Sequence, residues 1–142
     1  MRIILALAFL VGAFFQGFGQ KKNFYLYKGM MDRKTPITMY LQSEDNGCTG
    51  DLYYMGMYSY GSDRWIQLDI NNNDRNQFVL VEEGLTGVLM LQKTKKGFSG
   101  LWISPDTKKQ LKVELVQEKL QPKEKEVYEQ KLENLNYENH DC

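Results

Sequence analysis

The sequence predicts a mainly β protein: an eight-stranded antiparallel up-and-down meander closed into a barrel, or alternatively a two-sheet sandwich, with one C-terminal helix. Three observations carry that expectation. From about Asn23 to Glu118 apolar residues recur with a period of two, the signature of strands with one buried face. The intervening segments SEDNGC, YGSD, NNNDRN, EEG, TKKG and SPDTKK are short clusters of Gly, Asn, Asp, Pro and Lys. They suit tight turns and leave no room for the crossover that parallel strands require. Beyond Glu118 the chain becomes charged and loses its glycines.

FYLYKG opens the series of strands. In PITMYLQ, Ile37, Met39 and Leu41 share a face. DLYYMGMYSY sets Leu52, Tyr54, Gly56, Tyr58 and Tyr60 against Tyr53, Met55 and Met57. RWIQLDI groups Ile66, Leu68 and Ile70 opposite Gln67 and Asp69. NQFVLVEEG, TGVLMLQKT and SGLWIS follow, and KQLKVELVQE closes with Leu111, Val113 and Leu115 against Lys112 and Glu114. An open meander of this length would leave two bare edges, so closure is expected. Residues 122–136 are expected as the helix, because Pro122 suits a first turn. Val127 or Tyr128, Leu132 and Leu135 form a thin apolar stripe, able to pack on its own domain or meet a partner chain. A polar tail runs to residue 142.

Thr49-Gly50, Thr86-Gly87 and Ser99-Gly100 each precede apolar residues. They are expected just inside strands, where a glycine lets a neighbouring chain come close or the strand bend. A phosphate-cradling loop would need a following helix and a Gly-Lys-Ser/Thr sequence, and neither is present.

Residues 1–19 carry Arg2, an apolar run from Ile3 to Phe15, and Gly17-Phe18-Gly19. That is the layout of a signal peptide, with a run shorter than the roughly 20 residues of a membrane span. The expected product is secreted or periplasmic, with no membrane segment after cleavage: a barrel domain over 20–120, then helix and tail over 121–142. Loss of Arg2 leaves 17 positive against 18 negative charges. That balance argues against nucleic acid as a partner.

Export permits a disulfide between the two cysteines, Cys48 and Cys142; free or intermolecularly paired thiols are the alternative. The one histidine, His140, lies in the tail, where it cannot hold a base in position for Ser-His or Cys-His chemistry. One His and two distant Cys give no zinc framework. SEDNG and NNND lack the spacing of a calcium loop. Glu82 and Glu83 point to opposite faces, one of them inward or along the rim, and the plain reading is solvated turn charges. Asp69 and Glu82 across neighbouring strands would be the one conceivable hydrolytic pair. No enzyme, cofactor or metal is therefore expected.

The aromatic set stands out. Tyr54, Tyr58 and Tyr60 share a face, Trp65 begins the next strand and Trp102 ends a later one. Inward rings of this kind fill a small barrel or line a pocket. Tyr53, Met55, Met57, Val88, Met90 and Leu101 fall on the other face, which implies an outer cover: the helix, a second copy in a homodimer, or another protein.

CTGDLYYM, LTGVLML and FSGLWIS resemble the strand openings of avidin/streptavidin-like barrels, over about Cys48–Ser104; a lipocalin-like barrel is the related architecture. The biotin-loop features are not recognisable, so no ligand residue is carried over. The order PITMYL, GMYSY, WIQLDI, FVLVEEG, LTGVL and GLW is similar to small exported bacterial proteins, as is Gln20 directly after Gly19. The resemblance implies export and fold, not a reaction. The function expected first is a non-catalytic binding protein holding a small apolar or amphipathic ligand, or a peptide, on Tyr54, Tyr58, Tyr60, Trp65 and Trp102. The alternative is a protein–protein interaction module, such as a hydrolase inhibitor or a subunit of a periplasmic assembly.

Overall fold

The computed structural model describes residues 21–140. Eight strands form: β1 Lys22–Met31, β2 Thr35–Asp45, β3 Leu52–Tyr60, β4 Ile66–Asn72, β5 Gln77–Glu82, β6 Val88–Lys93, β7 Gly97–Ile103 and β8 Gln110–Glu118. Each pairs antiparallel with its neighbour in sequence, and β8 returns to β1 through Leu26↔Glu118 to Met31↔Val113. The sheet is a closed barrel, the first of the two expected closures. Closure satisfies both edges of the meander at once. The proposed leader over residues 1–19 lies outside the described residues.

Alternation divides every strand between inside and outside. Tyr27, Ile37, Met39, Leu41, Tyr58, Leu80, Leu89 and Val113 are buried in one continuous interior cluster. One region of it is a chain of rings, with Tyr54–Phe78, Phe78–Phe98 and Phe98–Tyr27 centroids 5.2, 5.1 and 4.9 Å apart in edge-on contacts. Such geometry adds about 0.5–1.5 kcal/mol per pair beyond burial.

The helix α1 runs from Pro122 to His140, one turn beyond the expected end. Its start carries one half of a capping box, the Glu124 carboxylate accepting from the Gln121 backbone N–H at 3.1 Å, and the first backbone bond of the helix runs from Lys125 N–H to the Gln121 carbonyl at 2.9 Å. Val127 is exposed, Leu132 is the buried centre of the stripe, and Tyr128 and Leu135 are half-buried beside it. They pack on the outside of the barrel against Phe24, Tyr40, Met55, Met57 and Trp65. Gln67 donates to Asn136 at 3.0 Å and accepts from Asn139 at 2.7 Å, which fastens the last turns to β4. No helix among the described residues is long and apolar enough to cross a membrane.

The three Gly pairs have three different roles, so the strand-entry expectation holds for Gly100 and is corrected for Gly50 and Gly87. Gly50 lies in the β2–β3 turn at φ +76°. Gly100 is inside β7, where a Cβ would run into the Met90 carbonyl of β6. Gly87 belongs to the cluster described next.

Candidate functional site

The register of β5 places Phe78, Leu80 and Glu82 inward and Val79 and Val81 outward. Glu82 is therefore a carboxyl group inside the barrel, 1% exposed. This corrects its reading as a solvated turn charge. Its Oε1 accepts the Tyr58 hydroxyl and, at 2.6 Å, the Trp102 indole N–H; its Oε2 accepts the Thr86 hydroxyl at 2.6 Å. The four side chains come from β3, β5, β7 and the β5–β6 turn, so one polar group ties three strands and a hairpin together. Burial without partners would be costly, but no buried side-chain nitrogen or oxygen among the described residues lacks a hydrogen bond.

Gly87 makes room for this arrangement, since a Cβ there would overlap the Trp102 indole nitrogen and a Glu82 oxygen. We expect Gly87→Ala to destabilise the fold by about 1–3 kcal/mol, measured by urea unfolding; a midpoint equal to wild type would count against the tight fit.

The predicted aromatic residues separate. Tyr58 and Trp102 bond Glu82; Tyr60 lies against Tyr58 with centroids 5.3 Å apart. Tyr54 packs on Phe78 further along the interior. Trp65 is on the other side of the wall, beneath the helix, with its ring 5.4 Å from Tyr128 and the Lys131 ammonium 5.0 Å away. It shares no surface with the other four. Asp69 pairs with Val81 and faces outward, whereas Glu82 faces in, so the conceivable hydrolytic pair is not assembled. Cys48 is exposed in the β2–β3 turn; Cys142, the other cysteine of the disulfide that export would permit, lies outside the described residues. Among those residues no three His, Cys, Asp or Glu side chains form a metal-binding group.

Burial raises the phenol pKa values of this interior. It pushes Tyr58 far above the ordinary range, reinforced by its bond to Glu82, and raises Tyr27, Tyr54 and Tyr60 as well. Tyr40, between barrel and helix, is pushed up to about 12, again by burial. A folded-state pKa raised above its unfolded value means that the native state holds its proton more tightly. Stability is then fully present below pH ~10 and is lost as pH rises toward the folded values. The phenolate absorbance of these residues should therefore emerge together with the loss of near-ultraviolet circular dichroism. A graded titration within an intact fold would contradict this.

The outer wall of β5–β7 is the second distinctive feature. Across the strands, Val81, Val88 and Ile103 form one row and Val79, Met90 and Leu101 the next. Met90 is 52% and Leu101 39% exposed. A cavity of about 550 Å³ opens on this wall, lined by Val79, Met90, Ser99 and Leu101 and rimmed by Asn71 and Gln92 among others. The sequence signal was present, because FVLV, VLML and GLWI are apolar on both phases, as in strands covered on both sides. The helix covers the equivalent wall over Tyr40 and Met57, and nothing in the described chain covers this one. No protein-family model, curated protein or solved structure matches the chain.

Proposed function

We propose that this chain is an exported, non-catalytic protein–protein interaction module whose contact surface is the outer wall of β5, β6 and β7. The observation that carries the reading is the contrast between the two sides of that wall. Inside, the rings expected to hold a small ligand pack on one another or on Glu82. Outside, six apolar side chains form a continuous surface of the kind that marks association sites. Leu85, in the β5–β6 turn, is a further exposed apolar side chain. It is 60% exposed and sits at φ +53°, a conformation that costs a bulky residue about 1–2 kcal/mol. Its N–H donates to the Glu82 carbonyl at 2.8 Å, so the turn beneath it is anchored by the buried cluster. A strained and rigidly displayed leucine suits a preorganised contact.

A photo-crosslinking amino acid at Met90, introduced in the native cells, tests the reading. Protein adducts are expected at Met90 and not at Glu126 on the exposed side of the helix. Equal yields at both positions, or none at either, would reject it.

A further inference from the structure

We propose that the barrel wall holds a strand-insertion site between the first half of β3 and the second half of β4, and that its occupant is an extended peptide in which basic and small apolar side chains alternate. This site is separate from the β5–β7 surface and does not depend on it.

The β3–β4 ladder is the shortest of the ring. The two strands are 9 and 7 residues long, yet they pair only through Gly56↔Leu68, Met57↔Gln67 and Tyr58↔Ile66. The pairs that would continue the ladder, Tyr54 with Ile70 and Leu52 with Asn72, are not made. Successive residues of an antiparallel strand turn their N–H and C=O alternately toward its two neighbours. Asn46 N–H donates to the Asp51 carbonyl at 2.8 Å, which turns Asp51 toward β2 and therefore Leu52 and Tyr54 toward β4. Glu83 N–H donates to the Gln67 carbonyl at 3.0 Å, which turns Gln67 toward β5 and therefore Ile70 and Asn72 toward β3. Two rows of main-chain donors and acceptors thus face each other across an open seam. Tyr54 and Ile70 are each 8% exposed, and main-chain groups so enclosed call for partners.

A cavity of about 180 Å³ occupies the seam, lined by Tyr53, Tyr54 and Met55 on one side and by Asp69 and Ile70 on the other. A single water fills only about 30 Å³. Gly56↔Leu68 closes the cavity at one end, and Asn136 and His140 of the last helical turn border it. Entry is therefore from the end that carries Leu52 and Asn72.

The chemistry of the seam selects a polypeptide. A strand between two others presents N–H and C=O to both neighbours, each edge repeating every second residue, about 6.6 Å apart. That is the spacing from Leu52 to Tyr54 and from Ile70 to Asn72, and pairing of this kind is how a sheet edge takes up a peptide. Side chains set the rest. Inward, the incoming strand meets Tyr54, packed on Phe78, and Ile70, which leaves space for a small apolar residue. Outward, it meets the Tyr53 ring, 56% exposed, and the exposed carboxylates of Asp69 and Glu83. No Lys or Arg lines the cavity, so charge complementarity calls for a basic residue on the outward phase.

Fluorescence anisotropy with an acetylated, fluorescein-labelled Lys-Val-Lys-Val-Lys peptide and the chain from Gln20 onward gives the test. Saturable binding is expected. The same peptide N-methylated at both valines keeps its charge and side chains but cannot pair along one edge, and should bind about tenfold more weakly or worse. Glu-Val-Glu-Val-Glu should not bind, and Asp69→Asn should weaken the lysine peptide several-fold with an unchanged circular dichroism spectrum. Hydrogen exchange locates the site, because the peptide should slow the amides of Tyr54 and Ile70. Equal affinity for the N-methylated peptide would show charge attraction without strand pairing and reject the proposal, as would no binding at all. Loss of binding in Met90→Glu would place the peptide on the β5–β7 wall instead. Binding seen only after removal of residues 141 and 142 would make the chain's own end the occupant, and equally overturn it.

Discussion

Replacing Glu82 by alanine is expected to destabilise the protein by about 3–5 kcal/mol, a large share of the 5–15 kcal/mol that holds a typical domain together. Three terms act in the same direction. The Tyr58 hydroxyl and the Trp102 indole N–H lose their shared acceptor while remaining buried. The Thr86 hydroxyl no longer fastens the β5–β6 turn to the strand below it. A void opens beside Trp102, whose surroundings are already tight enough that Gly87 admits no side chain. Glu82→Gln separates these effects. Its amide oxygen can still accept from Tyr58 and Trp102, and its NH₂ can donate to Thr86, so the cost should fall to about 1–2 kcal/mol, the difference between charge-assisted and neutral bonds. Urea unfolding of both variants and of Tyr58→Phe, arranged as a double-mutant cycle, reads the coupling directly. A Glu82→Ala variant within 1 kcal/mol of wild type would show that the cluster contributes little to holding the barrel closed.

The second large effect concerns the helix. Leu132 is 4% exposed at the centre of the contact between α1 and the barrel, joined there by Tyr40 and Met57. Leu132→Ala should cost about 2–4 kcal/mol through lost burial and an unfilled cavity. Leu132→Asp should release the helix altogether, because an aspartate cannot be placed there without an uncompensated buried charge. The stripe has only two other strong apolar contacts, Tyr128 and Leu135. Tryptophan fluorescence separates undocking from unfolding. The chain has two tryptophans; Trp65 lies under the helix and Trp102 inside the barrel. Leu132→Asp should shift the tryptophan emission to the red while strand circular dichroism persists, and the shift should vanish when Trp65 is replaced by phenylalanine, which leaves Trp102 alone to report. An unshifted emission would mean that the helix stays docked without its central leucine.

These two sites differ in how far the sequence discloses them. The stripe of Tyr128, Leu132 and Leu135 follows from helical spacing alone, because three residues on one face of a charged helix have few uses other than packing. Its destination does not follow. The same stripe could have met another chain, and only the closed barrel shows that the Tyr40–Met57 wall receives it. Trp65 falls with the inward tyrosines in the sequence because the wall beneath the helix is not visible there. It stands at residue 65, just before β4 begins at Ile66, where strict alternation no longer fixes direction.

Glu82 is the opposite case. Its phase with Phe78 and Leu80 pointed inward, but a carboxyl group beside Glu83 and a glycine looks like turn chemistry. Its three donors stand 24, 20 and 4 residues away in the chain, and no local pattern links them.

The sequence by itself determined the strand count, the antiparallel meander, the helix and the presence of apolar residues on both faces. Those are consequences of period, turn chemistry and composition, which act between near neighbours. Tertiary structure decided which faces became inside and outside, that Glu82 would be enclosed by Tyr58, Trp102 and Thr86, and that one outer wall would be covered by α1 while the β5–β7 wall stayed bare. Each of those outcomes depends on closing a ring through the β1–β8 pairing, a contact between the two ends of the barrel sequence whose geometry no short stretch of residues encodes.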